Sequence, residues 1–320
     1  MRIPFSKMLG IEHSVIVAPM FLVSNVEMTV AAAEGGATGA IPALNYRTDE
    51  ELRAAIAAIK SRTDKPFGIN LIVNKSNPKY KKQLDTLVEV GVDYIITSLG
   101  SPEETIRRCK PEGIKVFCDV VDEGYAKKVE ALGADAVIAV DNSAGGHCGP
   151  LDKADLIKRL LENCSLPVIS AGGIATSEQY EKALALGASG VSVGTVFLAS
   201  EEANLSKEYQ DALIDYGADD VVLTTKLSGS HLTVINTPYV QKVGTEASFF
   251  ESLLLKNKTL KKYVKMFVAF KGMKKIESSM NKASYKSMWC AGPAIEHVHS
   301  VRPLREILGD ITSSEQVFHT

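Results

Sequence analysis

The residues best suited to chemistry lie in one short run, Ser143-Ala144-Gly145-Gly146-His147-Cys148-Gly149. Imidazole is the side chain whose proton affinity sits nearest neutral pH, so it suits proton transfer under ordinary conditions. The glycines around His147 let the backbone approach a flat ligand and aim the ring at the space above it. The bland alternative is a histidine satisfied by local hydrogen bonds. Cys148 raises a second chemistry, because a neighbouring imidazolium lowers a thiol pKa and creates a nucleophile. No third orienting residue accompanies it in the run.

Two more runs are built from small residues: Ser170-Ala171-Gly172-Gly173-Ile174 and Val193-Gly194-Thr195. Backbone N–H groups in such loops approach a phosphate closely, and a helix start adds a favourable dipole. Tight turns without a ligand are the alternative. Ala18-Pro19-Met20 and Asn70 complete the set of candidates. Met20 either lines a ligand or fills core, and Asn70 offers both a donor and an acceptor. His13, His231, His297, His299 and His319 show no spacing that predicts a metal site, so none is expected.

The elements that must position these residues follow a repeated pattern. Four segments read as a helix end, a glycine and then a buried strand: 35–41, 91–96, 133–138 and 187–193. Four more apolar strands lie between them, at 14–18, 66–70, 114–118 and 166–170. Helices are expected over 49–60, 78–90, 123–132, 152–161 and 177–186, with Thr48, Asp122 and Thr176 as N-caps. Eight strand–helix units before about residue 200 are the number that closes a parallel barrel. An open doubly wound sheet would need fewer strands and an early glycine fingerprint, which is absent.

The expected fold is therefore α/β, a (β/α)8 TIM barrel with a C-terminal helical cap region. The barrel takes residues 1–220, with 284–320 packing back on it. Residues 221–283 form a mainly helical cap on the substrate side, with two or three helices in 249–280. The lysine-rich face there (Lys256, Lys258, Lys261, Lys262, Lys265) is either a solvated surface or an attractor for an anionic substrate. Such barrels keep their chemistry at the C-terminal ends of the strands. Every run named above falls there, after the first, third, sixth, seventh or eighth strand. His13 precedes the first strand and falls at the opposite end.

Composition excludes several classes. Of 320 residues, 45% are hydrophobic and 23% charged, which describes a globular protein. A net charge of -2 argues against a nucleic-acid partner. No stretch approaches the apolar length of a membrane span, and Met1–Ser6 does not open a secretory signal. Five scattered cysteines without a C-x-x-C pair suit reduced thiols, so a cytoplasmic location is expected. The sequence carries little on oligomeric state; a homodimer is compatible with it.

Taken as a set, Ala18-Pro19-Met20, Gly68-Ile69-Asn70, Ala144-Gly145-Gly146-His147-Cys148-Gly149, 167–174 and Val193-Gly194-Thr195-Val196-Phe197 resemble the nitronate monooxygenase family. The resemblance runs from about Phe5 to Gly309 and implies an FMN-dependent oxidoreductase. It implies that Ala18, Met20 and Asn70 contact the flavin and that Gly172, Gly173, Gly194 and Thr195 hold its phosphate. Pro19, Ser143, Gly145, Gly146 and Ala171 complete the expected cofactor-binding set. His147 would be the base for a neutral nitroalkane, and the substrate a small alkyl nitronate with oxygen as electron acceptor. The same superfamily holds NAD(P)H-dependent flavin reductases acting on enoyl thioesters or quinones, which is the alternative activity. Two departures bear on the substrate: Ala291-Gly292-Pro293 stands where many members have A-G-Q, and Ser230-His231-Leu232 replaces a more usual apolar stretch.

Overall fold

A computed structural model describes residues 3–74, 77–225, 231–246 and 288–313. Eight parallel strands close a barrel: β1 (Val15–Val17), β2 (Thr38–Pro42), β3 (Gly68–Ile72), β4 (Tyr94–Ser98), β5 (Lys115–Val120), β6 (Ala136–Val140), β8 (Val168–Ala171) and β9 (Gly190–Val193). Closure is made by β9 on β1, with Val15 opposite Val191 and Val17 opposite Val193. The short β7 (Gly146–His147) lies outside the barrel, so β8 and β9 are its seventh and eighth staves. This is a (β/α)8 TIM barrel, as the strand count implied.

The helices form where the sequence places them. Helix α3 (Asp49–Lys60) starts at Thr48 and α8 (Ser177–Ala185) at Thr176. Both starts are capping boxes, completed by Glu51 and Gln179. Asp122 caps α6 (Glu123–Leu132) through the Tyr125 N–H. Each such cap contributes about 1 kcal/mol. The glycines that close helices before β4 and β6 are left-handed, Gly91 at φ +66° and Gly133 at φ +93°.

The barrel interior explains why the site lies at one end. Phe5 from α1 (Phe5–Leu9) plugs the bottom, meeting Phe117 edge-on at 5.6 Å. Tyr94 stacks on Phe117 at 4.9 Å. The Tyr94 ring fills the space where a side chain on residue 68 would stand: a Cβ on Gly68 would lie 2.1 Å from it. Because side chains alternate along a strand, the residues two places beyond this aromatic floor point into the upper mouth. Two large apolar clusters seal the helices onto the outside of the strands.

Residues 288–313 return to the barrel. Ile295, Leu304 and Leu308 are buried in the cluster that holds Val15, Val193 and Phe197, and Ser200 pairs with Arg302. The stretch 221–283 was expected to be mainly helical. Its described parts, 221–225 and 231–246, instead contain β10 (Val221–Thr224), β11 (Leu232–Ile235) and a short helix, Pro238–Val243. Alternation in Leu232-Thr233-Val234-Ile235 was too short a signal to read as a strand. The helices expected over 249–280 and the lysines there lie outside the described residues, as does His319.

Candidate active site

His147 does not sit in an open loop. The chain after β6 turns sharply at Asp141, whose carbonyl accepts from Ala144 N (3.3 Å) and Gly149 N (3.2 Å). It then adds a strand to a second sheet of order β10-β11-β7. Gly146 pairs with Thr233 and His147 with Leu232. The Thr233 hydroxyl donates to Ala144 O at 2.7 Å. The imidazole is thereby presented on the C-terminal face of the barrel by strand pairing. Its residue is open to solvent, yet surrounding protein on the inner side strips enough water to hold its pKa below the ordinary value. A neutral imidazole near pH 7 is the form that accepts a proton. Burial, with help from Asp141, pushes the Cys148 thiol the other way, up. That counts against the thiolate alternative.

The loops after β6, β8 and β9 meet. Gly292 N donates to Thr195 Oγ1 at 3.0 Å, and a Cβ on Gly145 would come within 2.8 Å of the same oxygen. Gly145, Thr195 and the returning C-terminal segment therefore pack with no room for a side chain. Ala18, Pro19 and Met20 are half-buried after β1, where Ala18 N donates to Val193 O and Met20 packs beside Gly194. Gly172 has φ +133°, and a Cβ there would lie 2.0 Å from Asp141 Oδ1. Ser143 covers Gly173 from the other side. The structure thus brings Ser143, Gly145, Gly172, Gly173, Gly194 and Thr195 to one edge of the mouth, with Ala171 ending β8 beneath them. Asn70 stands across the mouth on β3.

Several charged residues of the mouth escaped the sequence reading. Asp141 is 1% exposed and accepts from Ser143 N at 2.7 Å through Oδ1, while Oδ2 has no partner. Burial pushes its carboxyl up to about 6 against the attraction of Lys153. Lys153 opens α7 (Lys153–Asn163), and its ammonium lies 3.4 Å from Gly173 O. Burial lowers its pKa while Asp141 opposes the shift. Asp119, half-buried at the end of β5, is likewise raised to about 6 by burial. The available signal was position: Asp119 and Asp141 lie at the C-terminal ends of barrel strands, and Lys153 opens the helix that returns from β6.

The remaining histidines lie elsewhere. His13 is buried before β1 with Glu12 at 3.7 Å, and His297 contacts Gln179 at 3.2 Å on a 3-10 turn. His231 is exposed beside β11. Among the described residues, no group of His, Cys, Asp and Glu is placed to hold a metal, and no helix is long and apolar enough to cross a membrane. None of the five cysteines forms a disulfide.

A closed (β/α)8 barrel with an imidazole of lowered pKa and glycine-lined loops on its C-terminal face defines a class of barrel enzyme. Residues 2–314 match the nitronate monooxygenase family, and the chain belongs to that family and is an oxidoreductase. It is 30% identical over 271 residues to a nitronate monooxygenase of Pseudomonas aeruginosa, covering 70% of this chain and 77% of that protein. It is 32% identical over 259 residues to (3aS,4S,5R,7aS)-5-hydroxy-7a-methyl-1-oxo-octahydro-1H-indene-4-carboxyl-CoA dehydrogenase of Mycobacterium tuberculosis, covering 79% of this chain and 72% of that one. The structure of FabK from Thermotoga maritima superposes with a TM-score of 0.83 at 27% identity, over 100% of this chain and 98% of the other.

Proposed function

We propose that the chain is an FMN-dependent oxidoreductase that oxidises alkyl nitronates with oxygen as electron acceptor. The observation that carries this reading is the placement of His147 beside a crowded glycine edge. One group handles protons, and the other accepts a phosphate without side-chain interference. The residues present fit FMN. Gly172, Gly173, Gly194 and Thr195 offer backbone close to a phosphate, and Lys153 adds a cation next to them. Asn70 lies across the mouth and Met20 beside Gly194, so that a ring between them would find one polar and one apolar contact.

When bound, FMN supplies the electron-transfer chemistry. The protein's part is to orient substrate and to move a proton. Neutral His147 takes the proton next to the nitro group of a neutral nitroalkane and generates the nitronate. For a substrate that is already a nitronate, the imidazole positions its negative oxygen. The purified protein should be yellow. Anaerobic mixing with an alkyl nitronate should bleach it, and His147→Asn should keep FMN while losing about 100-fold or more of turnover with neutral nitroalkane. Undiminished turnover in that variant would sink the assignment.

A second reading has one observation in its favour. The relative at 32% identity is named for a carboxyl-CoA substrate. On that reading the chain is an NAD(P)H-dependent flavin reductase of an enoyl thioester or a quinone. Rapid anaerobic bleaching by NADH or NADPH, with none by nitronate, selects it.

A further inference from the structure

Asn70, Ser98 and Asp119 stand on three neighbouring strands, β3, β4 and β5. Ser98 follows Tyr94 and Ile96 on the inward side of β4, and Asp119 follows Phe117 on β5. All three therefore rise above the aromatic floor into the mouth. Their hydrogen bonds run in a single direction. Asn70 Nδ2 lies 3.2 Å from Ile96 O and 2.7 Å from Ser98 Oγ. A backbone carbonyl only accepts, so the first contact fixes which end of the amide carries the hydrogens. Both of those hydrogens are then spent. Ser98 receives one of them, so its own proton is free to go elsewhere, and it donates to Asp119 Oδ2. An ionised carboxylate only accepts, which ends the line.

One group is left over. No described residue donates to Asn70 Oδ1, and that oxygen is not sealed in the protein interior. The line of bonds thus presents an acceptor, and no donor, from residue 70 to the mouth. Without the carboxylate, nothing compels the Ser98 proton to point away from Asn70. The serine could then donate toward a flipped amide, and the mouth would offer N–H in place of C=O.

We infer that Asp119 is a positioning residue: acting through Ser98, it fixes the Asn70 amide so that the mouth offers a hydrogen-bond acceptor to a ligand N–H of the cyclic imide class. The inference rests on the flavin reading of the mouth, because an oxidised flavin ring carries one imide N–H among several acceptors. It assigns Asp119 a part that needs no contact with substrate. Simple polar packing between strands is the competing account, and it predicts a loss of stability with no special dependence on Asn70.

The test is a mutant cycle read by FMN binding. Flavin-free wild type, Ser98→Ala, Asp119→Ala, Asn70→Ala and the two doubles with Asn70→Ala are titrated with FMN, followed by fluorescence quenching. Ser98→Ala and Asp119→Ala should each weaken binding about tenfold, the worth of one misdirected hydrogen bond. In the Asn70→Ala background the same changes should have no further effect. Ser98→Thr, which keeps the hydroxyl, should retain wild-type affinity. Asp119→Asn should behave like Asp119→Ala, since its amide can donate to Ser98 and reverse the line; it serves if the alanine variant does not fold. Additive losses in the doubles, or wild-type affinity in Ser98→Ala, overturn the inference and leave the flavin reading standing. A wild type that binds no FMN overturns both.

Discussion

Replacing Asp141 by asparagine should stabilise the flavin-free protein at high pH and lose that gain at low pH. The carboxyl is raised from 3.8 to about 6 by burial under the Gly172 loop. Its folded form holds a proton more tightly than its unfolded form. The stability that this linkage provides is therefore complete below pH 3.8 and is lost as pH rises to about 6. Above that, the buried charge costs about 3 kcal/mol, at 1.36 kcal/mol for each pKa unit. Asparagine carries no such cost. Its carbonyl can still accept from Ser143 N, but its amide nitrogen takes the place of the unpartnered Oδ2 and costs roughly 1–2 kcal/mol as an unmet donor. A net gain of about 1–2 kcal/mol is expected at pH 8. At pH 4.5 wild type retains most of its advantage, so the difference between the two proteins should shift by about 2 kcal/mol over that range. Urea unfolding at the two pH values measures it. An effect of the same size at both, or a destabilisation that grows with pH, would refute the reasoning.

Lys153→Met should weaken FMN binding about tenfold while leaving riboflavin, which lacks the phosphate, unchanged. Equal loss for both ligands would remove Lys153 from the phosphate edge. Gly68→Ala should destabilise the barrel by about 2–3 kcal/mol through overpacking against Tyr94, and an unchanged melting temperature would show that the floor can repack.

The barrel was legible because its signals are local and repeated. Glycine closures such as Gly133 and caps such as Thr48 and Thr176 are written in adjacent residues, and the helices they bound fall within a residue or two of expectation. The glycine loops were legible for the same reason. What escaped depends on partners far apart in the chain. The strand Gly146–His147 exists only because Leu232-Thr233 lies alongside, some 86 residues later. Asp119 was passed over because the fifth strand was read as ending at Cys118, whereas it runs on to Val120. Counting inward positions from Phe117 would have reached the carboxylate. Asp141 carried no mark of burial in its neighbours, since Gly172 and Ala171 cover it from another strand.

The pairing of β7 with β11 also decides which side chain the strand presents on each of its faces. Successive residues of a strand face opposite ways, so a slip of one place would exchange the imidazole of His147 for the thiol of Cys148. A ladder two residues long resists such slippage poorly by itself. The Thr233 hydroxyl, reaching back to Ala144 O and at 3.4 Å to Gly146 O, acts as a locating pin. On the proposed function, the identity of the proton-handling group is thus guarded by a threonine that performs no chemistry.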